Sequence, residues 1–322
     1  AFFASIPDLS ERKLEELPWQ YEAAQQWESL RQCITNLVIF DKLYCDASKF
    51  DLTKYWRSVE KNLPSNNSVK SYKEILDRGN FPSGIIISDL IYRIGRLMLE
   101  TGKHDGAEFF LKKAEGFYFK FSQLLNVAKC YTALAEVYFT DTRYDEVELM
   151  LNKAKVVYER EKGLEAEENA NIWNRLGSLK CVQHKFAEAK ACLEQALRIS
   201  ESTFGTSGLQ TADIYYNLAT TYIAIADEDS LKLAEDYLVR AISIKDKLLG
   251  QWDPEISHLL LRLGTLYLEQ NQFRDAEECF ERCLIIRQSK LGPEHSRVAQ
   301  TLKHMLTCYE MQEKYQLALD HG

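Results

Sequence analysis

The sequence predicts an all-α protein: a right-handed α-solenoid of about six helical hairpins, preceded by an N-terminal helical block. One helical pattern returns six times, centred on Gly95, Ala135, Gly177, Ala219, Gly264 and Leu306. Steps of 40, 42, 42, 45 and 42 residues separate these centres, and a nearly fixed period of this length is typical of stacked supersecondary units. Only six prolines and 14 glycines occur among 322 residues, which suits long helices.

The predicted hairpins carry a small residue near the middle of the first helix, a position that Leu306 takes in the sixth hairpin, and another small residue on the second helix. Helix axes approach closely only where the side chains at the contact are small, so these residues mark the expected crossings. The pairs are Gly95 with Ala107, Ala135 with Val147, Gly177 with Ala189, Ala219 with Ala234, Gly264 with Ala276, and Leu306 with Ala318. An insertion at 227–230 displaces the second member in the fourth hairpin.

Glycine and proline mark the links between hairpins. Gly250 and Gly292 are expected to end helices in a left-handed conformation, and Pro254 and Pro293 to open the next helices at their first turns. We therefore divide the chain into a non-repeating helical block, 1–84, and an array of six repeats, 85–322, of which the last is truncated. The chain starts at Ala1 and stops inside the sixth repeat, so we expect it to be part of a longer polypeptide.

The block 1–84 shows helical patterns without a repeat of its own. A helix pair is expected in 9–31, broken either near Pro18 or at 25–27, followed by helices over 36–45 and 50–62. Ser68 is a candidate cap for a short helix that ends at Leu76. We interpret this block as a linker from an upstream domain, which is what the family resemblance of its segments, given below, implies.

Composition excludes several classes of function. A formal net charge of −8 argues against a nucleic-acid binder, and no apolar run is long enough for membrane insertion. The eight cysteines form no C-x-x-C pair and suit a reducing, cytoplasmic compartment. Cys279 and Cys283 could share a metal, although packing in the core is the simpler interpretation. No phosphate-binding loop or catalytic motif occurs, so we predict no enzyme activity and no cofactor.

The repeated residues resemble those of the tetratricopeptide repeat (TPR). Its first helix carries large residues around a small one, as at Leu260, Leu263, Gly264 and Tyr267. The period of about 42 exceeds the basic 34 residues and is similar to the long repeats of kinesin light chains and nephrocystin-type proteins. This resemblance covers residues 86–322 and implies a protein-interaction scaffold.

A weaker resemblance lies in the N-terminal block. The segments 14–20, 27–30 and 40–44 are similar to a region of nephrocystin-type and tetratricopeptide repeat protein 41-type signalling NTPases. This second resemblance implies an upstream NTPase domain in the same polypeptide and an association with the cilium. The alternative function is therefore a regulatory or autoinhibitory arm for that domain.

In such arrays the first helices line a concave groove, which holds an extended peptide. Side chains two or three positions before the crossing residue, and one after it, reach into the groove. The candidate peptide-binding residues are Arg93, Arg96, Asn174, Arg175, Asn217, Arg262, Lys303 and His304. Guanidinium groups bind carboxylates through paired hydrogen bonds, and asparagine matches the peptide backbone, so we predict an acidic peptide partner. Alternatively, these arginines pair with Glu136, Asp89 or Asp213 and only hold repeats together.

Overall fold

A computed structural model of the protein describes residues 11–44, 49–65, 67–79, 81 and 86–312. Sixteen α-helices lie in this part of the chain, with a short 3-10 helix (Pro254–Ile256) before α14: α1 (Glu11–Ala23), α2 (Trp27–Thr35), α3 (Leu37–Leu43), α4 (Lys49–Asn62), α5 (Ser68–Arg78), α6 (Ile87–Glu100), α7 (His104–Lys120), α8 (Leu124–Thr140), α9 (Tyr144–Lys162), α10 (Glu167–Val182), α11 (Phe186–Phe204), α12 (Leu209–Ile225), α13 (Glu228–Leu249), α14 (Ser257–Glu269), α15 (Phe273–Leu291) and α16 (Ser296–Met311). The predicted all-α class is confirmed.

The chain forms two compact units, Ala1–Val157 and Tyr158–Gly322. Unit 1 contains α1 to α8 and most of α9, and unit 2 contains α10 to α16. The boundary expected between residues 84 and 85 stays a prediction. Among the described residues, no helix combines the length and the apolar character that crossing a bilayer requires.

Four of the six predicted hairpins are seen as packed helix pairs. α6 packs on α7, α10 on α11, α12 on α13, and α14 on α15, and each first helix carries its predicted crossing residue. The sixth hairpin is described only through its first helix, α16, because Ala318 and the end of the chain lie outside the described residues. Large apolar side chains from both helices of each hairpin fill the core of unit 2, including Leu218, Leu238, Leu263 and Cys283.

The turn inside each hairpin uses one residue with positive φ, seven positions after the crossing residue. These residues are Gly102, Thr142, His184, Ala226 and Asn271, with φ between 58° and 73°. Between hairpins, Gly250 and Gly292 end α13 and α15 with positive φ, 91° and 84°, as predicted, but their ψ of 152° and 158° is extended and not that of a left-handed helix. Pro254 opens the short 3-10 helix, whereas Pro293 lies in the turn before α16, whose cap is His295.

The N-terminal block follows the predicted pattern with two refinements. α1 runs through Pro18, and the break falls at Gln25, which has φ of 55°. The cap of α5 is Asn67 and not Ser68, because the Asn67 side chain accepts a hydrogen bond of 2.8 Å from the Lys70 N–H. The Ser68 hydroxyl is buried instead and contacts Lys103.

Candidate functional site

The eight predicted peptide-binding residues all lie on first helices. Arg93 and Arg96 belong to α6 in unit 1. Unit 2 carries the other six on α10, α12, α14 and α16, and we call their surface the first-helix face of unit 2: Asn174, Arg175, Asn217, Arg262, Lys303 and His304.

Both candidate arginines of unit 1 are paired with acids. Arg93 forms an ion pair with Asp41 of α3, and Arg96 donates to Glu136 of α8 over 2.6 Å. Because both carboxylates are already engaged with these guanidinium groups, a peptide carboxylate would have to compete with them. The pairing of Arg96 with Glu136 matches the structural alternative stated above.

Two asparagines are neighbours on the first-helix face of unit 2. Asn217 donates through Nδ2 to Oδ1 of Asn174 over 2.8 Å, which links α12 to α10. This bond uses the NH2 group of Asn217 and the carbonyl oxygen of Asn174. Asn217 keeps its carbonyl oxygen as an acceptor, and Asn174 keeps its NH2 group as a donor. Beside them, Arg175 donates through Nε to Asn171 over 2.7 Å. The pair can therefore offer both a donor and an acceptor to a peptide backbone.

Arg262 and His304 line one cavity of about 620 Å³ within unit 2. Its walls come from α12, the segment before α14, α14 itself, α15 and α16, and they include Tyr216, Glu255, Leu261 and Thr265. Lys303, by contrast, is exposed and lies outside this cavity. The structure thus brings together two of the predicted residues that stand 42 positions apart in sequence.

Three further basic residues of the cavity were missed by the sequence reasoning: His258, Arg287 and Arg297. Arg287 belongs to a second helix, α15, and is only 4% exposed. Its Nη1 donates to the Arg297 carbonyl oxygen over 2.7 Å and to the Thr301 hydroxyl over 3.0 Å. The acceptors that Arg287 reaches in the described part of the chain are therefore all uncharged.

Two guanidinium nitrogens in this cavity are buried without a hydrogen-bond partner among the described residues. They are Nε of Arg262 and Nε of Arg287. Buried polar groups are almost always satisfied in folded proteins, and an unmet donor on a cation is among the costly exceptions. Both donors belong to permanent cations, so the acceptor that suits them is an anion.

Two histidines line the same cavity, and both have lowered pKa values. Burial is the main cause at His258, with further contributions from Lys245 and Arg287. At His304, burial again leads, followed by Lys303 and Arg287. His258 packs edge-on against Tyr216, with ring centroids 4.9 Å apart, and His304 stacks on Phe280 at 5.7 Å. The lowered pKa values favour the neutral form of both rings, so the permanent positive charge of the cavity comes from its arginines.

A second cavity, of about 550 Å³, lies among α13, α14 and α15. It contains the ion pair of Arg282 with Asp246, together with Asp275 and Glu278. Its charges are therefore of both signs, with acids in excess. The cavity on the first-helix face differs because Glu255, its one acid, is already hydrogen-bonded to Lys245 over 2.8 Å.

Comparison with known proteins agrees with this architecture. A family model described as "Tetratricopeptide repeat" matches residues 168–247 and 255–322. A TPR repeat-containing protein of Dictyostelium discoideum is 36% identical over 287 residues, which cover 85% of this chain and 17% of that protein. Kinesin light chain-related 1 of Arabidopsis thaliana is 27% identical over 48% of this chain and 25% of its own length. Nephrocystin-3 of Mus musculus is 25% identical over 28% of this chain and 7% of its own length.

The chain thus spans a quarter or less of the length of these three relatives. Among solved structures, BtubC (BKLC) from P. vanneervenii superimposes with a TM-score of 0.54 at 23% identity, covering 76% of this chain and 91% of BtubC. At that identity the match concerns the fold alone. Taken with the hairpins and their period, these matches show that the chain contains tetratricopeptide repeats and is similar in sequence to a kinesin light chain-related protein and to nephrocystin-3.

Proposed function

We propose that this chain is a protein-interaction scaffold, whose first-helix face in unit 2 binds an extended, acidic peptide segment. The repeats support the interaction role, since such arrays present side chains from successive helices to a partner. The finer assignment depends on one observation. Arg262 and Arg287, two permanent cations, line the same cavity, and the described residues supply neither with a carboxylate partner.

The face offers two kinds of contact along its length. Asn174 and Asn217 present amide donors and acceptors that suit a peptide backbone of any sequence. Arg262 and the cavity beside it need a negatively charged group on the peptide. Arg93 and Arg96 of unit 1 already have acid partners, so we assign them a weaker part in binding.

The electrostatic setting favours such a partner. The chain as a whole carries a formal charge of −8, so an acidic peptide is repelled by most of the surface and attracted only locally. Attraction of this kind raises the association rate and weakens as salt screens it over a Debye length of about 8–10 Å. Binding should therefore be strongly dependent on salt.

The test compares peptides of one length that differ only in charge. Fluorescein-labelled 12-residue peptides carry zero, two, four or six glutamates, with glutamine at the remaining positions, and fluorescence anisotropy measures their affinity. We expect affinity to rise with the number of glutamates and to fall between 50 and 300 mM salt. Equal affinity for the all-glutamine and the glutamate peptides would contradict the proposal.

Charge reversal then locates the binding face. Arg175→Glu with Arg262→Glu should cost about 2–5 kcal/mol of binding free energy, because two charge-assisted contacts become repulsive. The matched control is Arg198→Glu with Arg240→Glu, which makes the same change in net charge at exposed positions of the second helices α11 and α13. If the control pair weakens binding as much as the first pair, the outer surface binds the peptide and our assignment is wrong.

The same peptides also address the regulatory alternative. A chain that acts only on an NTPase domain of its own polypeptide need not bind any of these peptides. The absence of binding across the whole series, in a folded chain, would favour that alternative. The repeat fold supports a role in protein interaction in general terms. The cytoplasmic and ciliary location and the lack of enzyme activity stay predictions.

A further inference from the structure

The hairpin of the fourth repeat contains a cluster of three aromatic rings. Tyr237 of the second helix α13 packs against Tyr215 and Tyr222 of the first helix α12, with ring centroids 5.4 Å and 5.9 Å apart. Rings at such distances attract one another beyond the area that they bury. Tyr237 is partly buried and packs on the core of unit 2, so it covers the side of α12 that faces its second helix.

The fifth repeat lacks two of these three rings. Counted from the small residue of the second helix, Cys279 takes the position of Tyr237. Counted from the crossing residue of the first helix, Leu260 takes the position of Tyr215, while the third position keeps a tyrosine, Tyr267. A thiol and an isobutyl group are much smaller than two phenol rings. The hairpin of α14 and α15 therefore leaves open a space that the hairpin of α12 and α13 fills.

The cavity of about 550 Å³ lies at this place, and we call it the second-helix cavity. Leu260, Tyr267 and Cys279 all line it, together with Leu263 and Ile242. Except for Tyr267, each of these side chains is at most 9% exposed, so they form an apolar floor. Burial raises the pKa of the Cys279 thiol to about 12, and a neutral thiol packs as a small apolar group. The volume is in the range of sites that admit a whole side chain.

The rim of the second-helix cavity is charged and acidic on balance. Asp275 and Glu278 are exposed and form no ion pair with the residues that the structure describes, whereas Asp246 is paired with Arg282. With Lys247, three acids of the rim stand against two bases. Asp275 and Glu278 are three residues apart on α15 and so lie on one helix face. One cation of a partner can therefore lie near both carboxylates.

From the comparison of the two repeats we infer that the second-helix cavity binds an aromatic side chain of a partner protein, beside which the partner carries lysine or arginine. The ring takes the place that Tyr237 has in the fourth repeat, against Leu260 and Tyr267, and the basic side chain lies near Asp275 and Glu278. This site goes beyond the proposed function. It opens between the second helices α13 and α15 and shares no residue with the first-helix face or its cavity.

Four peptides test the chemistry of the ligand. Each is a fluorescein-labelled glycine–serine peptide of 12 residues. Three carry two lysines beside a central tyrosine, leucine or alanine, and the fourth carries two serines beside a central tyrosine. Fluorescence anisotropy should show the tyrosine–lysine peptide binding at least tenfold more tightly than the other three. Equal affinity of the leucine peptide would overturn the assignment to a ring, and equal affinity of the tyrosine–serine peptide would overturn the basic flank. Absence of saturable binding by the tyrosine–lysine peptide would overturn the site.

The decisive variant restores the ring cluster of the fourth repeat. Cys279→Tyr with Leu260→Tyr fills the second-helix cavity from within, so we expect at least a tenfold loss of affinity for the tyrosine–lysine peptide together with a higher melting temperature. The matched control is Cys192→Tyr, which makes the same change at the same position of the third repeat, outside the cavity. This control should stay within threefold of wild-type affinity. Wild-type affinity in the folded double variant would overturn the site.

A second variant changes only the exposed rim and keeps the inference testable if the added rings unfold the chain. Asp275→Asn with Glu278→Gln should lose at least fivefold in affinity for the tyrosine–lysine peptide. Its control, Glu281→Gln with Glu310→Gln, makes the same change in charge at exposed positions outside the second-helix cavity and should not change the affinity. Circular dichroism establishes that each variant is folded. Wild-type affinity in the rim variant would overturn the inference.

Three further measurements locate the ligand and exclude other occupants. With p-benzoylphenylalanine in place of the peptide's tyrosine, irradiation should attach the peptide to residues that line the second-helix cavity, and attachment to the first-helix face would overturn the site. Sedimentation velocity tests a second copy of the chain: self-association that Cys279→Tyr abolishes would overturn the assignment to a partner protein. Arg175→Glu with Arg262→Glu should leave the affinity for the tyrosine–lysine peptide unchanged, and a tenfold loss in that variant would place the peptide on the first-helix face and overturn the inference.

Discussion

The helix crossing at Gly177 allows a quantitative test of the repeat architecture. A Cβ atom added at this position would lie 2.5 Å from Leu193 Cγ, 2.7 Å from its Cδ2 and 3.2 Å from the Ala189 carbonyl oxygen. Carbon atoms in contact normally stay about 3.5–4.0 Å apart, so Leu193 would have to move by about 1 Å. Leu193 is fully buried in the core of unit 2, so a shift of its side chain must displace packed neighbours.

The expected cost follows from two opposing effects. Replacing glycine by alanine inside a helix gains about 1 kcal/mol of helix propensity. Overpacking a filled core costs about 1–3 kcal/mol, and the shortness of the 2.5 Å contact with Leu193 puts Gly177→Ala at the upper end of that range. We therefore expect Gly177→Ala to lose about 1–2 kcal/mol of unfolding free energy.

Gly116 provides the matched control. It also lies inside a helix, α7, but a Cβ there would meet no atom within 4 Å. Gly116→Ala should therefore gain about 0.5–1 kcal/mol from propensity alone. A second control, Leu193→Ala, removes the clashing atoms, and in that background Gly177→Ala should turn from unfavourable to neutral or favourable, with a coupling energy of about 1–3 kcal/mol.

Hydrogen exchange measured on peptides from α7, α10 and α11 reports the opening free energy of each hairpin separately. This readout avoids treating two compact units as a single unfolding transition. The reasoning is refuted if Gly177→Ala protects α10 and α11 as much as Gly116→Ala protects α7. It is also refuted if Gly177→Ala and Leu193→Ala are simply additive.

Two further predictions concern the buried charges of unit 2. Asp213→Asn with Glu255→Gln leaves Lys245 buried without a counterion. We therefore expect urea unfolding to show a loss of about 1–3 kcal/mol of unfolding free energy, with no loss of acidic-peptide binding. Unchanged stability in this variant would show that the two ion pairs do not support the fold. The lowered pKa values of His258 and His304 mean that the unfolded chain binds more protons than the folded chain below the unfolded value of about 6.5. Stability from these histidines is therefore present above that pH and is lost as pH falls through the folded pKa values; urea unfolding at pH 7.5 and 5.5 tests this, and a pH dependence unchanged in His258→Asn with His304→Asn would contradict it.

The sequence predicted the hairpins well because one physical requirement recurs in each of them. A small residue must stand where two helices cross, and the period then places every turn and every first-helix residue. Gly177 and Gly264 were found in this way, and so was the shared surface of Asn174 and Asn217. The same periodicity located Arg262 and His304, which line a single cavity.

Contacts that come from outside the repeat could not be found from its period. Asp41, the partner of Arg93, lies 52 residues earlier in a helix of the N-terminal block. Arg287 was missed for another reason: its position on the second helix has the phase of a core residue, and Tyr118 and Ser200 hold that position in other repeats. An alignment of the repeats by charge would have pointed to Arg287. In that alignment His258 stands where the fourth repeat has Asp213, and Arg297 stands where the fifth repeat has Glu255.

A buried cation without a counterion is a cost to the unliganded chain, and an apolar side chain of similar size would often be cheaper. The fifth repeat has Arg287 all the same, and neither His258 nor Arg297 supplies the negative charge that would relieve the cost. A repeat array tolerates such a junction because each repeat packs only on its neighbours, so the cost stays local. A ligand that pairs with Arg287 removes this cost, and the free energy released adds to its affinity. On this account, the asparagines hold a peptide backbone of almost any sequence, and the charge at one junction decides which peptides stay bound.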